Sequence, residues 1–175
     1  MHKIFSLISV ALLLIVASCD NQKPSPRIRT GQTDSLRTAN VRKVMYTRTS
    51  ETSTPEINVE MNGVPFKMLW DTGATGTSIS LQECLSLYKA GVLSDNDIKG
   101  YALCTVADGS TVKVPVYSIN EVVIRTDGEP FVVNNVEVSV MSSLSASMLL
   151  GQNVMKELPE HVFNESSCQI EFKDR

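Results

Sequence analysis

The stretch that most constrains this chain is "EINVEMNGVPFKMLW", running from Glu56 to Trp70. Ile57, Val59 and Met61 alternate with Asn58 and Glu60, which sets the apolar side chains on one face of a strand. Asn62-Gly63 follows, a dipeptide that tolerates the positive φ angles of a two-residue hairpin turn. The return strand carries Val64, Phe66, Met68 and Trp70 on one face and Leu69 on the other, so its far end is expected to be buried on both sides. Pro65 has no N–H to donate, so the near end of that strand is expected at an edge.

The same grammar continues downstream. "SLQECLSLYKAG" reads as a short helix, with Ser80 as its cap and Glu83 three residues on completing a capping box. Leu81, Cys84, Leu85 and Tyr88 form the apolar stripe, and Gly91 ends it. "SDNDI" begins a further turn at Ser94. "YALCTVADGSTVKVPVYSI" is a long hairpin with Ala107, Asp108, Gly109 and Ser110 at its tip. "EVVIRTDGEPFVV" repeats the pattern around Asp127-Gly128, and "VEVSV" alternates cleanly. Leu149-Leu150-Gly151 leads into a short helix, "QNVMKEL", stopped before Pro159, and "SCQIEF" is a final strand. Val41–Thr49 adds a short strand before the domain proper, which starts near Pro55. The fold class is all-β with one or two short helices. Closely spaced strands in so short a domain imply a small closed barrel or a sandwich. Aromatic residues are few, so Val, Ile, Leu and Met must fill the core.

The N-terminus is a targeting segment. Lys3 precedes a mostly apolar run from Ile4 to Ser18, which is shorter than the roughly 20 residues a membrane span needs. The run ends in Val16-Ala17-Ser18-Cys19, which resembles a bacterial lipoprotein signal. That resemblance implies cleavage before Cys19 and a lipid on its sulfur. Cleavage after Ser18 by a standard signal peptidase and retention as an uncleaved anchor are the rival readings. All three place the domain outside the cytoplasm. Residues 20–40 are polar, carry Pro24, Pro26 and Gly31, and show no sustained period, as a flexible tether does. The chain therefore divides into a signal peptide over 1–18, a lipidated cysteine with a polar tether over 19–52, and a folded domain over 53–175.

Charge follows the same division. Residues 20–52 hold seven Lys/Arg against three acids, whereas residues 53–175 hold eight against sixteen. The acidic domain repels phosphate backbones, which argues against a nucleic-acid partner. The basic stretch is either a solvated linker or a segment that lies against anionic lipid. Besides Cys19 the chain has Cys84, Cys104 and Cys168, which cannot all pair within one chain. They read as small buried hydrophobes. With His2 and His161 the only histidines and no Cys-x-x-Cys, a zinc site has no support, and no metal or cofactor is expected.

Chemistry concentrates in Met68 to Thr75, "MLWDTGAT". An apolar strand ends on Asp71, whose carboxylate needs partners where water is scarce. Gly73 lets the backbone turn sharply and brings amide N–H groups near a carboxylate oxygen, while Thr72, Thr75, Thr77 and Ser78 supply hydroxyls. Taken alone, Asp-Thr-Gly is equally a plain turn.

Over roughly residues 55–173 the sequence resembles the retropepsin-like aspartic proteases, single-domain bacterial members more than viral ones. Four parts occur in the family's order: the hairpin leading into Asp71-Thr72-Gly73-Ala74, a β-hairpin tipped by "ADGS", a strand-rich stretch, and Leu149-Leu150-Gly151 before a short helix. Trp70 is bulkier than the usual aliphatic residue, and a helix is inserted between the motif and the "ADGS" hairpin. The resemblance implies a small closed β-barrel of retropepsin type and an aspartic endopeptidase with Asp71 as its catalytic acid. It further implies that Thr72, Gly73 and Ala74 support the loop, and that Leu149, Leu150 and Gly151 pack beside it. Ala107, Asp108, Gly109 and Ser110 would form a flap over a peptide or protein substrate. Such chemistry uses two carboxylates, and no second Asp-Thr-Gly or Asp-Ser-Gly is present; Asp108-Gly109 and Asp127-Gly128 lack the intervening hydroxyl residue and read as turns. The second acid is therefore expected from a second copy, in a homodimer tethered to the bacterial cell envelope by its lipid anchor. Two readings stand against an enzyme. One is an inactive domain of the same fold that binds extended peptides; the other is a structural envelope lipoprotein whose Asp-Thr-Gly is a chance turn.

Overall fold

The computed structural model describes residues 41–106 and 108–173. The signal segment, the proposed lipidation at Cys19 and the tether up to residue 40 lie outside the described residues, as does Ala107.

Asn62 and Gly63 take φ angles of 48° and 79°, and the turn joins β2 (Glu56–Met61) to β3 (Val64–Trp70) in the expected register, Met61 opposite Val64. Ile57, Val59 and Met61 are buried, as are Met68 and Trp70 at the far end of β3. There β3 gains a second, parallel neighbour, β8 (Leu149–Leu150), opposite Leu69 and Trp70. The Pro65 end has β2 alone, so its missing N–H faces an open edge.

The remaining strands are β4 (Thr77–Ser80), β5 (Ile98–Thr105), β6 (Thr111–Ile124) and β7 (Phe131–Met141). Two further pairings, β8 with β4 and β4 with β7, carry the sheet round to β6. Val122–Ile124 of β6 then pair with Val59–Met61 of β2. The circuit β2, β3, β8, β4, β7, β6 thus returns to its start, which resolves barrel against sandwich in favour of a closed ring. Its lining is aliphatic, with Ile57, Met61, Met68, Ile79, Ile119, Ile124 and Leu150 essentially without exposure.

Two wings extend from the ring. From β6, β5 projects as an edge strand. From β2, β1 (Val41–Thr47) leads to β10 (Gln169–Lys173) and then β9 (His161–Asn164). The strand expected near residue 41 is therefore sandwiched between β2 and β10, and the packed chain begins before Pro55. β9 has no counterpart in the sequence reading; four residues give too short an alternation to stand out after Pro159.

Helix α1 (Leu81–Lys89) starts where expected, its Ser80 hydroxyl accepting the N–H groups of Gln82 and Glu83 and pairing with the Glu83 carboxylate. Its buried face differs. Cys84 and Leu87 are buried, while Leu85 is 46% exposed. The helix lies against β4 and β7 along the line through residues 84 and 87, which rotates Leu85 into water. A single 3-10 turn, Asp95–Asp97, follows the Ser94 cap. Helix α2 (Gln152–Met155) is shorter than the sequence pattern. Cys84 is buried and Cys104 half-buried, but Cys168 is exposed, so its expected burial is corrected: it sits in the β9–β10 turn at φ 51°, a bend that points its side chain outward.

Candidate active site

Asp71 is the first residue after β3, and the ring builds its surroundings from both sides. The Asp71 N–H donates to the Leu150 carbonyl at 3.1 Å, continuing the β3–β8 ladder one step past its end. The carboxylate folds back on the loop: its Oδ1 accepts the Gly73 N–H at 2.9 Å, and the Asp71 carbonyl accepts the Ala74 N–H at 3.2 Å. The acid is half-buried, with Thr72 and Gly73 exposed beyond it. Desolvation is thus partial, and a fixed amide dipole faces one carboxylate oxygen.

Leu149, Leu150 and Gly151 lie beside this loop. Leu149 and Leu150 pair with Leu69 and Trp70. Gly151 has a sharper role, because a Cβ built on it would stand 2.3 Å from the Gly76 carbonyl oxygen and 2.4 Å from its carbon. No side chain fits there, so two glycines let the two segments touch backbone to backbone. The Gly151 N–H then reaches the Thr77 hydroxyl at 3.2 Å. That hydroxyl donates to Asn153 Oδ1 at 2.8 Å, and Asn153 Nδ2 donates to the Glu137 carbonyl at 2.9 Å.

Sequence reasoning missed Gln152, Asn153 and Gly76. Gln152 holds the loop twice: its N–H donates to the Ala74 carbonyl at 2.9 Å and its Nε2 to the Thr72 carbonyl at 3.0 Å. The available signal was position, since polar residues directly after an apolar-apolar-Gly strand emerge beside whatever that strand pairs with. The Thr77 hydroxyl, expected among those around the acid, bonds to Gly151 and Asn153 instead.

Asp108, Gly109 and Ser110 form the tip between β5 and β6. Gly109 sits at φ 84° and closes the turn through its N–H to the Val106 carbonyl. Hydrogen bonds from Ser110, the hydroxyl first and the N–H second, hold the Asp108 carboxyl below its ordinary range. Among the described residues no hydrogen bond joins this tip to the Asp71 loop. Asp127, expected to be turn chemistry alone, also accepts the Lys43 N–H and so pins the β6–β7 turn to β1.

A concavity of about 390 Å³ opens between the end of α2 and β9, with Met155, Leu158, His161, Val162 and Lys173 among its walls. Asp71 is not among its lining residues; on its β9 side the His161 ring packs edge-on against Trp70 at 5.0 Å. Among the described residues no group of three or more His, Cys, Asp and Glu side chains is placed to hold a metal ion.

A family model described as "gag-polyprotein putative aspartyl protease" matches residues 57–157, more than half of the chain. No curated protein matches it. Among solved structures, a retropepsin-like aspartic protease from Rickettsia conorii superposes with a TM-score of 0.50 at 19% identity, over 76% of this chain and 92% of that one. At that identity the likeness speaks for the fold, and the closed ring with its few short helices agrees with it. The family match, together with an Asp-Thr-Gly loop paired to an apolar-apolar-Gly strand, means that the chain belongs to the retropepsin-like aspartic protease family.

Proposed function

We propose that this protein is an aspartic endopeptidase that works as a homodimer, with one Asp71 from each copy sharing a water. One carboxylate takes a proton from the water as its oxygen attacks the peptide carbonyl carbon. The other protonates the carbonyl oxygen, giving a gem-diol; as the carbon–nitrogen bond breaks, the proton taken from water passes to the departing amine and a diol hydroxyl returns a proton to the second carboxylate. As is general for aspartic proteases, two close carboxylates do not both ionise readily, so their titrations belong to the pair. The observation that carries the reading is a single acid held by a loop far more elaborate than a turn requires. Leu150 of β8 accepts the Asp71 N–H, Gln152 of α2 bonds the Thr72 and Ala74 carbonyls, and the Thr77 hydroxyl of β4 accepts the Gly151 N–H, yet the sequence supplies no second copy of the motif. The outer side of the loop fits a two-fold partner: Thr72, Gly73, Thr75 and Gly76 are exposed, and the Thr72 hydroxyl makes no hydrogen bond among the described residues. A cleft for an extended peptide would then lie between the copies, closed by the Asp108–Ser110 tips.

The lipoprotein-like Val16-Ala17-Ser18-Cys19 supports attachment to the bacterial envelope through Cys19. Two copies confined to one membrane surface meet at raised effective concentration, which favours a weak dimer.

The test is hydrolysis of a peptide library by the chain, read by mass spectrometry from acidic to neutral pH. Wild type should cut and Asp71→Asn should not. An excess of Asp71→Asn mixed into wild type should suppress cutting by drawing active chains into one-acid dimers. Equal cutting by both forms, or full activity from a strict monomer, overturns the proposal.

A further inference from the structure

The two ends of one peptide group carry separate contacts in the Asp71 loop. The Thr72 carbonyl and the Gly73 N–H belong to the same planar unit. Its N–H donates to Asp71 Oδ1 at 2.9 Å, and its carbonyl accepts from Gln152 Nε2 at 3.0 Å. A hydrogen-bond relay therefore runs from the Gln152 amide through the peptide to the acid. Such chains polarise: a donor on the carbonyl strengthens the N–H at the other end as a donor. The relay also fixes orientation, because rotating the peptide plane away from Asp71 would break the Gln152 bond as well.

We infer that Gln152 is a positioning residue for Asp71, acting through the 72–73 peptide to hold one carboxylate oxygen in place. The inference rests on the proposed protease reading and adds a residue to it. The amide must present nitrogen to Thr72, since its oxygen would meet the carbonyl oxygen as a second acceptor. The Gln152 backbone N–H is separately anchored to the Ala74 carbonyl, so the side chain starts from a fixed point. Exchange of the side chain leaves that anchor untouched.

The titratable neighbours are few. Within the elements packed on the loop, β8, β4 and α2 contain none, β3 contains Lys67 four residues back, and β2 contains Glu56 and Glu60. Lys67 and Glu56 face each other at 3.8 Å, Glu60 pairs with Arg125, and no ion pair among the described residues includes Asp71.

The experiment compares Gln152→Met, which keeps the length and loses the donor, with Gln152→Glu, which turns the donor into an acceptor, and Gln152→Lys, which keeps an N–H donor. For Gln152→Met, kcat/KM should fall about tenfold, as for loss of one hydrogen bond in a line to a charged group, mainly in kcat. Gln152→Glu should be worse, and Gln152→Lys should recover much of the loss. Thermal unfolding of each variant separates this from a folding defect. A Gln152→Met enzyme with the wild-type kcat overturns the inference, as does failure of Gln152→Lys to exceed Gln152→Met at equal stability. If instead Asp71→Asn retains activity, the protease reading itself falls, and that result is distinguishable because it does not involve Gln152.

Discussion

Gly151→Ala is the most informative single change, because the structure gives both its cause and its size. The new Cβ would lie 2.3 Å from the Gly76 carbonyl oxygen, 2.4 Å from the carbon and 3.0 Å from the Cα. All three are backbone atoms, so no rotamer can relieve the clash. Gly151 has φ −101° and ψ −177°, which alanine adopts freely, so the cost is steric alone. To clear it, β8 must move away from Gly76. That strains the Gly151 N–H bond to Thr77 and the Gln152 N–H bond to Ala74. Overpacking costs about 1–3 kcal/mol, and two weakened hydrogen bonds add about 1 kcal/mol each, giving about 3–5 kcal/mol. Against a total stability of about 5–15 kcal/mol this is large, and for a domain of this size it lowers Tm by about 10–20 °C. Trp70 is the sole tryptophan and packs directly before the loop, so its fluorescence, read beside far-UV circular dichroism, reports unfolding at the site. Gly76→Ala is the control: its Cβ would meet nothing within 4 Å, so it should cost no more than about 1 kcal/mol. If Gly151→Ala melts within about 3 °C of wild type, the backbone-to-backbone approach is refuted.

Other outcomes follow from single side chains. The Trp70 indole nitrogen is buried without a hydrogen-bond partner, so Trp70→Phe should stay within about 1 kcal/mol of wild type in urea unfolding, whereas Trp70→Ala should lose about 3–5 kcal/mol. Equal losses in the two variants would show that the indole N–H is satisfied after all. Cys168 should alkylate fastest, Cys104 more slowly and Cys84 only on unfolding, as read by mass spectrometry of labelled peptides. Burial pushes the Cys84 thiol up, so its folded value exceeds its unfolded one. Its contribution to stability is then complete below about pH 8.5 and is lost as pH rises toward the folded value, so labelling of Cys84 should need both base and opening.

What could be read in advance was local. Asn62-Gly63 fixes a hairpin by its own φ preference, and Ser80 with Glu83 starts a helix through contacts three residues apart. Asp71 was legible as a held acid because the holding glycine is two residues away. The rest depended on partners that no local pattern names. Leu85 was placed on the buried face of α1, but β4 and β7 choose the face, and they take Cys84 and Leu87. β9 becomes a strand because β10 offers it a ladder, not because "HVFN" alternates convincingly. Gln152 looked like an ordinary first residue of a helix. Its bond to Thr72 exists only because β8 lies parallel to β3.

That parallel pairing also has a consequence in time. β3 and β8 touch across a separation of about eighty residues, so the contact closes a long loop, which is entropically slow compared with the neighbouring hairpin. A chain emerging N-terminus first would form the β2–β3 turn, α1 and the β5–β6 hairpin before Leu149 is available. During that interval Asp71 has its own Gly73 bond but nothing from Leu150, Gly151 or Gln152. A fragment ending before Met148 would therefore carry the acid, the tip and most of the ring's strands, yet lack the piece that sets the acid in place. The hydrogen bonds that surround the Asp71 loop are in this way completed late in folding.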